Sequence, residues 1–396
     1  LRRPRLIVGR RHYLDHASTS PPRPEVVDAL QQWLTGPFAD PGRVHDDAWA
    51  VRVAIEEARE KVGALLGVRA RQVIFTSGAT EAINAAVWGA CRERPDGVVL
   101  CADVEHSAVR DASRRLAAVE KLPVDGDGRI DADGVADALG RHAGDPVALV
   151  HCQWGNHEVG TVQPVHRVVQ LARAAGVLVH VDAAAAVGHA PVDRAALDAD
   201  LVSISGHKIG GPPGIGALVL RRGLRLDPLL VGGQQERARR AGMENVPGIV
   251  GFGAAAEALT ADGGRRLAAE IDANSAQIDA MVGAALAVGG VRVVGDPVDR
   301  LPHLVSLGID GVEAEPILMG LDRAGISAHS GSACSSESLE PSPVLEAMGA
   351  DPSHSLRLSV GWSTSDDDVD AFVDAFEPVV AGLRALGDQP APIPPV

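Results

Sequence analysis

Lys208 follows Ser205, Gly206 and His207 at the end of the apolar run Leu201 to Ser205. A lysine amine held at a fixed place can condense with an aldehyde, and small polar residues before it leave room for a cofactor. Alone, a Gly-His-Lys run reads as a solvated surface lysine. Two upstream runs change that reading. Thr76-Ser77-Gly78-Ala79-Thr80-Glu81 follows apolar Val73-Ile74-Phe75 and opens a helical pattern, so the backbone N–H groups around Gly78, Ala79 and Thr80, with the Thr80 hydroxyl, point at an anion. Asp182 ends Leu178-Val179-His180-Val181, where a carboxylate can pair with a protonated ring nitrogen and keep the ring an electron sink. An amine, an anion cradle and an acid, each at the exit of a predicted strand, imply pyridoxal 5'-phosphate bound at the carboxyl ends of an open α/β sheet.

A second reactive group is Cys334, in Ser330-Gly331-Ser332-Ala333-Cys334-Ser335. The chain has 4 cysteines and no Cys-x-x-Cys pair, which argues against a disulfide framework or a structural zinc site and predicts a cytoplasmic protein without metal. Cys91, Cys101 and Cys152 lie in apolar patterns and read as small core residues. Cys334 instead sits in a polar loop, where a thiolate can meet substrate and then swing to an acceptor.

The elements that must position these groups alternate. Strand patterns at Gly97 to Ala102, Val147 to Cys152, Leu178 to Ala183 and Leu201 to Ser205 are separated by helical ones, which implies right-handed crossovers and a mostly parallel sheet. After about residue 262 a long helical pattern, Arg265 to Val288, precedes short strands at Leu304 to Gly308 and Leu356 to Val360. The alternating part, residues 25–262, reads as a cofactor-binding large domain, and the pattern changes over the remainder, 263–396, which carries the cysteine loop. Gly211-Pro212-Pro213-Gly214-Ile215-Gly216 lacks dinucleotide spacing and leads into a strand, so it reads as a turn; no Gly-Lys-Ser or Gly-Lys-Thr occurs.

A hydrophobic content of 46% excludes general disorder, and no apolar stretch reaches membrane-spanning length. With 52 acidic and 37 basic side chains the formal net charge is −15, a surface that repels a phosphate backbone, so no direct nucleic-acid binding is expected. Arg2, Arg3, Arg5, Arg10 and Arg11 are interrupted only by Leu6-Ile7-Val8, too short for a signal-peptide core, and read as a basic extension. The proline-rich end from Gln389 reads as an extended tail.

Tyr13-Leu14-Asp15-His16-Ala17, Thr76 to Glu81, Val104-Glu105-His106, Asn156-His157-Glu158-Val159-Gly160, His180 to Ala183 and Ser205 to Lys208 together resemble the successive blocks of fold-type I pyridoxal phosphate enzymes of aminotransferase class V. The Cys334 loop with Ser338-Leu339-Glu340-Pro341-Ser342 narrows the resemblance to the NifS/IscS-like, group I cysteine desulfurases. It implies a large domain with a mostly parallel seven-stranded sheet and assigns 263–396 to a smaller α+β domain to which residues 1–24 contribute. It further implies a homodimer that converts L-cysteine to L-alanine, leaves a persulfide on Cys334 and hands the sulfur to an acceptor protein. Lys208 would hold the cofactor and move the α-proton, and His106 would stack on the ring and assist. Thr80, Ser205 and His207 would bind the phosphate, Asn156 the ring hydroxyl and substrate, and Arg357 the substrate carboxylate by a two-point pair.

Four departures mark this chain. Asp40 and His157 each stand where the family usually has asparagine, Ala185 where it has a glutamine on the ring hydroxyl, and Met243 where it has a threonine reaching the neighbouring subunit's phosphate. These departures resemble the DndA branch, which supplies sulfur for DNA phosphorothioation. Sulfur donation to iron–sulfur clusters or tRNA thiolation is the alternative. An aminotransferase, a selenocysteine lyase or a non-catalytic sulfur-carrier scaffold are readings of other kinds.

Overall fold

The computed structural model describes residues 11–36, 39–144, 146–191, 198–330 and 341–387. The arginine-rich start before Arg11, the Cys334 loop and the proline-rich tail lie outside the described residues.

Strands Val73–Thr76, Gly216–Leu220, Leu201–Ser205, Val179–Asp182, Val147–His151, Val98–Ala102 and Val119–Leu122 lie side by side in that order, so the sheet has the expected seven strands. From Leu201–Ser205 outward to Val119–Leu122 every pairing is parallel. Gly216–Leu220 is antiparallel to both its neighbours, and two reversals in succession leave Val73–Thr76 pointing the same way as Leu201–Ser205. Thr76, Asp182 and Ser205 therefore end at one edge. The central strands are buried along their whole length, which explains their near-continuous Val, Ile and Leu content.

Two glycines let the chain turn at that edge. A Cβ on Gly216 would stand 2.6 Å from the Ile204 carbonyl oxygen and 2.7 Å from the Gly78 backbone, so only glycine lets the Gly78 turn lie against the sheet. Gly210, with φ +78°, closes the short 3-10 turn Gly206–Ile209 that carries Lys208.

A second unit begins with the helix Arg265–Ala287, after Gly263 and Gly264. Its antiparallel strands run in the order Ser355–Ser359, Leu304–Ile309, Val291–Val294, and His12–Tyr13 pairs with Ile326–Ser327 beside them. A separate core lies beneath, built on Leu14, Ile278, Met281, Leu307, Phe372 and Phe376. Leu14 brings the N-terminal segment into this unit, while Leu301, Leu304 and Leu345 join the large core.

The large unit also holds an internal ion pair. Arg59 gives two hydrogen bonds to Glu236, at 2.5 and 2.7 Å, and the Phe75 N–H gives a third at 3.0 Å. Both side chains are 3% exposed. Glu236, Arg237 and Ala238 all adopt positive φ, between 48° and 61°, in a backbone region that L-residues other than Asn and Asp rarely visit. Glu236 tethers this left-handed turn to the strand before Gly78. Glu236→Ala should leave the buried Arg59 with only the half-exposed Glu56 carboxylate and the Val73 carbonyl, each 3.2 Å away, and cost about 3 kcal/mol, read as a lower urea midpoint with faster proteolysis at residues 230–244. Arg59→Met combined with Glu236→Ala should lose less than the single change. An unchanged midpoint in Glu236→Ala would show that the pair does not hold the turn.

Candidate functional site

At the carboxyl edge of the sheet lies a cavity of about 580 Å³, whose wall includes Gly78, Ala79, Thr80, His106, Asp182, Ser205, His207, Lys208 and Arg357. Strands of the large sheet ending at one edge bring most of these side chains together, and the second unit adds Arg357.

Gly78 begins the helix Ala79–Glu93, and no side chain caps its first turn. Its free N–H groups and partial positive charge make an anion cradle. Glu81, one turn in, is not part of the cradle: it accepts from the Ser77 N–H at 2.8 Å and pairs with Arg240 at 2.8 Å. That pairing steadies the loop from outside.

Asp182 accepts on Oδ1 from the Ala184 N–H at 3.1 Å and the Ser203 hydroxyl at 3.0 Å. Lys208 Nζ donates to the carbonyl of Ala17, which packs in the large core. Burial, then the Arg357 charge, pull the Lys208 ammonium from 10.5 down to about 8, against the opposing pull of Asp15 and Asp182. A minority of the amine, far more than for a free lysine, is therefore neutral and nucleophilic near physiological pH.

His106 caps the helix Ser107–Leu116, its Nδ1 accepting from the Ala108 N–H at 3.1 Å. The proton of the neutral ring then sits on Nε2. Burial, then His157, lower its pKa to about 4, so the ring is neutral. His207 pairs through Nδ1 with the Thr19 hydroxyl at 3.1 Å, and burial and then Lys208 bring it to about 4 as well.

Arg357 comes from the second unit, on the strand Ser355–Ser359, and is 5% exposed. It donates to the His157 carbonyl at 2.9 Å, to Asp15 at 2.8 Å and to the Ser18 hydroxyl at 2.7 Å, while its buried Nε has no partner. An unspent N–H on a buried guanidinium beside a cavity suits a carboxylate ligand.

Among the described residues predicted for the site, Asn156 alone is not in the cavity wall. Its side chain is fully buried: one amide N–H donates to the Val104 carbonyl at 3.0 Å, and the oxygen accepts from the Glu158 and Val159 N–H groups at 2.8 and 2.9 Å. These bonds shape the turn that carries His157. His157 occupies the cavity wall instead, its ring 5.0 Å from that of His106, edge to face.

Among the departures, Ala185 lies in the cavity wall, whereas Met243 is exposed and lines a neighbouring cavity with Ser77 and Arg240. Asp40 is turned into its own loop, accepting from the Gly42 N–H at 2.8 Å and pairing with Arg43 at 3.1 Å, and is not part of the cavity wall. Cys91, Cys101 and Cys152 are buried, and burial raises their thiol pKa values. Cys334 lies outside the described residues.

Sequence reasoning passed over two groups. Asp15 is the carboxylate that holds Arg357, and it stood only inside a matched block. Glu105 is completely buried, accepts the Gln153 N–H on Oε1 at 2.7 Å and leaves Oε2 without a partner. Burial, then the nearby Asp182, push its pKa up to about 8, so it is largely a neutral acid behind the site.

The uncapped helix start, the Asp182 carboxylate and the near-neutral Lys208 amine fit pyridoxal phosphate: anion cradle, acid for the ring nitrogen and amine for the aldehyde. Among the described residues no cluster of His, Cys, Asp and Glu could hold a metal ion, and no helix is long and apolar enough to cross a membrane.

The aminotransferase class-V profile matches residues 12–372. A cysteine desulfurase of Cereibacter sphaeroides is 40% identical over 95% of this chain and 97% of its own. A solved NifS-like protein superposes with a TM-score of 0.85 at 27% identity, over 94% of this chain and all of the other. The structure described as SspA in complex with cysteine superposes with a TM-score of 0.76 at 27% identity, covering 88% and 99% of the two chains. Sequence kinship along nearly the full length thus agrees with the chemistry of the cavity: the chain belongs to the class-V aminotransferase family, as a pyridoxal phosphate-dependent cysteine desulfurase.

Proposed function

We propose that the sulfur taken from L-cysteine leaves as a persulfide on Cys334 and passes to an acceptor protein that serves DNA phosphorothioation. The observation that carries the chemistry is the Lys208 amine held near neutrality in the same wall as Asp182 and Arg357. A protein acceptor is supported by the net charge of −15, which disfavours direct contact with DNA. The pathway is supported by the departures at His157, Ala185 and Met243.

The residues divide the work. Arg357 binds the substrate carboxylate, a two-point contact that its planar fork favours. Gly78, Ala79, Thr80, Ser205 and His207 hold the cofactor phosphate. Pyridoxal phosphate, when bound, supplies a sink for the electrons released at the substrate α-carbon. Asp182 holds the proton of the ring nitrogen, and neutral Lys208 takes the α-proton and returns it. His106, with its proton on Nε2, enters as a donor. The Cys334 thiolate attacks the substrate sulfur; the carbon–sulfur bond breaks with its electron pair returning to carbon, and protonation there gives alanine.

The working unit in this reading is a cytoplasmic homodimer. Segments 39–52 and 230–244 adjoin around a common cavity and expose Val44, Trp49, Leu230, Val231 and Met243, an apolar face suited to a second copy.

The purified protein should be yellow, and borohydride should fix the pigment to Lys208. Cofactor loading of the stripped protein should speed up as pH rises, with a midpoint near 8, because only the neutral amine condenses. A label elsewhere, or a midpoint near that of a free lysine, would remove Lys208 from this role.

Cys334→Ser should keep the colour and lose alanine formation, since a serine hydroxyl is a poor nucleophile towards sulfur. With radiolabelled cysteine the parent enzyme should label a protein in a cell extract and leave naked DNA unlabelled. Deleting the gene should abolish iodine-sensitive phosphorothioate sites in DNA. Loss of iron–sulfur enzyme activity or tRNA thiolation instead, with DNA modification intact, would move the enzyme to those pathways.

Ala185→Gln should tighten cofactor retention about fivefold if one new hydrogen bond contributes about 1 kcal/mol. Faster loss of pyridoxal phosphate under dialysis would show that the wall at Ala185 has no room for the longer side chain.

A further inference from the structure

Behind Asp182 runs a row of buried hydrogen bonds that the reaction as described does not use. The Ser203 hydroxyl donates to Asp182 Oδ1 at 3.0 Å and lies 3.1 Å from His180 Nε2. His180 Nδ1 is 2.9 Å from His151 Nδ1, and His151 Nε2 is 3.1 Å from the Ser113 hydroxyl. Ser113 in turn reaches the Val109 carbonyl at 2.7 Å, one helical turn back. Ser113, His151, His180 and Ser203 are all 0% exposed. The sheet builds the row: His151 and His180 are register neighbours on adjacent strands, as are Asp182 and Ser203, and His180 and Asp182 share a face two residues apart.

The hydrogens do not suffice for every contact. Five contacts lie end to end, from Val109 to Asp182, yet two hydroxyls and two neutral imidazoles bring only four hydrogens. A fifth proton would make a buried imidazolium. Burial opposes it, lowering His180 to about 4 and His151 well below its usual value. One contact is therefore without a hydrogen. The vacancy falls at Ser113–Val109, where the hydroxyl turns its hydrogen from the carbonyl 2.7 Å away to His151 Nε2 and the oxygen–oxygen spacing widens. A bond to the Asp182 carboxylate is charge-assisted and roughly twice as strong as a neutral one. The Val109 carbonyl, by contrast, already accepts a backbone N–H within its helix.

We propose that Ser203, His180, His151 and Ser113 form a one-directional proton-ordered row that ends on Asp182 and holds it as an anion for the ring nitrogen, with His180 protonated on Nε2 and His151 on Nδ1. His151 and His180 are then positioning residues for Asp182. With Ser203 and Ala184 both donating to Oδ1, the carboxylate is fixed in rotation and Oδ2 is left to the cofactor. The inference rests on the assignment of Asp182 to the ring nitrogen for its catalytic consequence only; the tautomers belong to the protein itself.

The test is nitrogen–proton correlation NMR on protein with 15N-labelled histidine, cofactor-free and loaded, the two rings assigned through His151→Asn and His180→Asn. The parent should show His151 as the Nδ1–H tautomer and His180 as the Nε2–H tautomer. Ser203→Ala removes the anionic end, so Ser113 returns to Val109 and both rings should switch tautomer. Ser113→Ala cuts the other end and should leave both unchanged. Opposite tautomers in the parent, an imidazolium at either ring, or a switch in Ser113→Ala rather than Ser203→Ala would overturn the proposal. His180→Phe should lower kcat for alanine formation about tenfold with KM moved less than about threefold. The expected tautomers with an unchanged kcat would leave the row in place and overturn its role on Asp182.

Discussion

Burying an amine without cancelling its charge is the constraint on which the site depends. Lys208 sits against the Ala17 carbonyl, with Arg357 pushing its proton off and Asp15 and Asp182 pulling it on. Burial and Arg357 disfavour the cation, and the two carboxylates favour it, so the amine is lowered without being fully discharged. The balance requires both units of the fold, since Asp182 and Lys208 leave the large sheet while Arg357 comes from the Ser355–Ser359 strand and Asp15 from the segment just after His12–Tyr13.

Much of this was legible in the sequence, for local reasons. A strand buried on both faces announces itself as an apolar run, and the residue that ends it in a parallel sheet stands at the ligand edge. Thr80, Asp182 and Lys208 could therefore be placed from their positions alone, as could the core role of Cys91, Cys101 and Cys152. The Gly211–Gly216 turn was equally plain, because proline and glycine act locally.

What escaped depends on distance along the chain or on one-residue phase. Arg357 meets Asp15 across 342 positions, and no periodicity reports such a pair. Asn156 and His157 are adjacent, and which of them faces the cavity is decided by a turn whose carbonyl and N–H partners only the fold supplies. Glu236 to Ala238 take positive φ without a glycine among them, because the buried Arg59 pair holds the turn from 177 positions away. His151 and His180 stand inside apolar strand runs. Their meaning appears only when parallel register sets them side by side.

Arg357 also shows how a ligand-free site can be ready without being empty of interaction. Its guanidinium already holds Asp15 and Ser18, so an arriving carboxylate exchanges with, or adds to, bonds that are in place and does not have to order a free side chain. The partnerless Nε gives that carboxylate a donor for which no group of the protein competes. Around it His106 and His207 are neutral and Glu105 is largely protonated, which leaves Lys208, Asp182, Arg357 and Asp15 as the charges that matter. With Lys208 protonated, two cations and two anions make a near-neutral cavity. Phosphate and substrate carboxylate then bring the excess negative charge, met by the helix start at Gly78 and by Arg357, at opposite elements of the same wall.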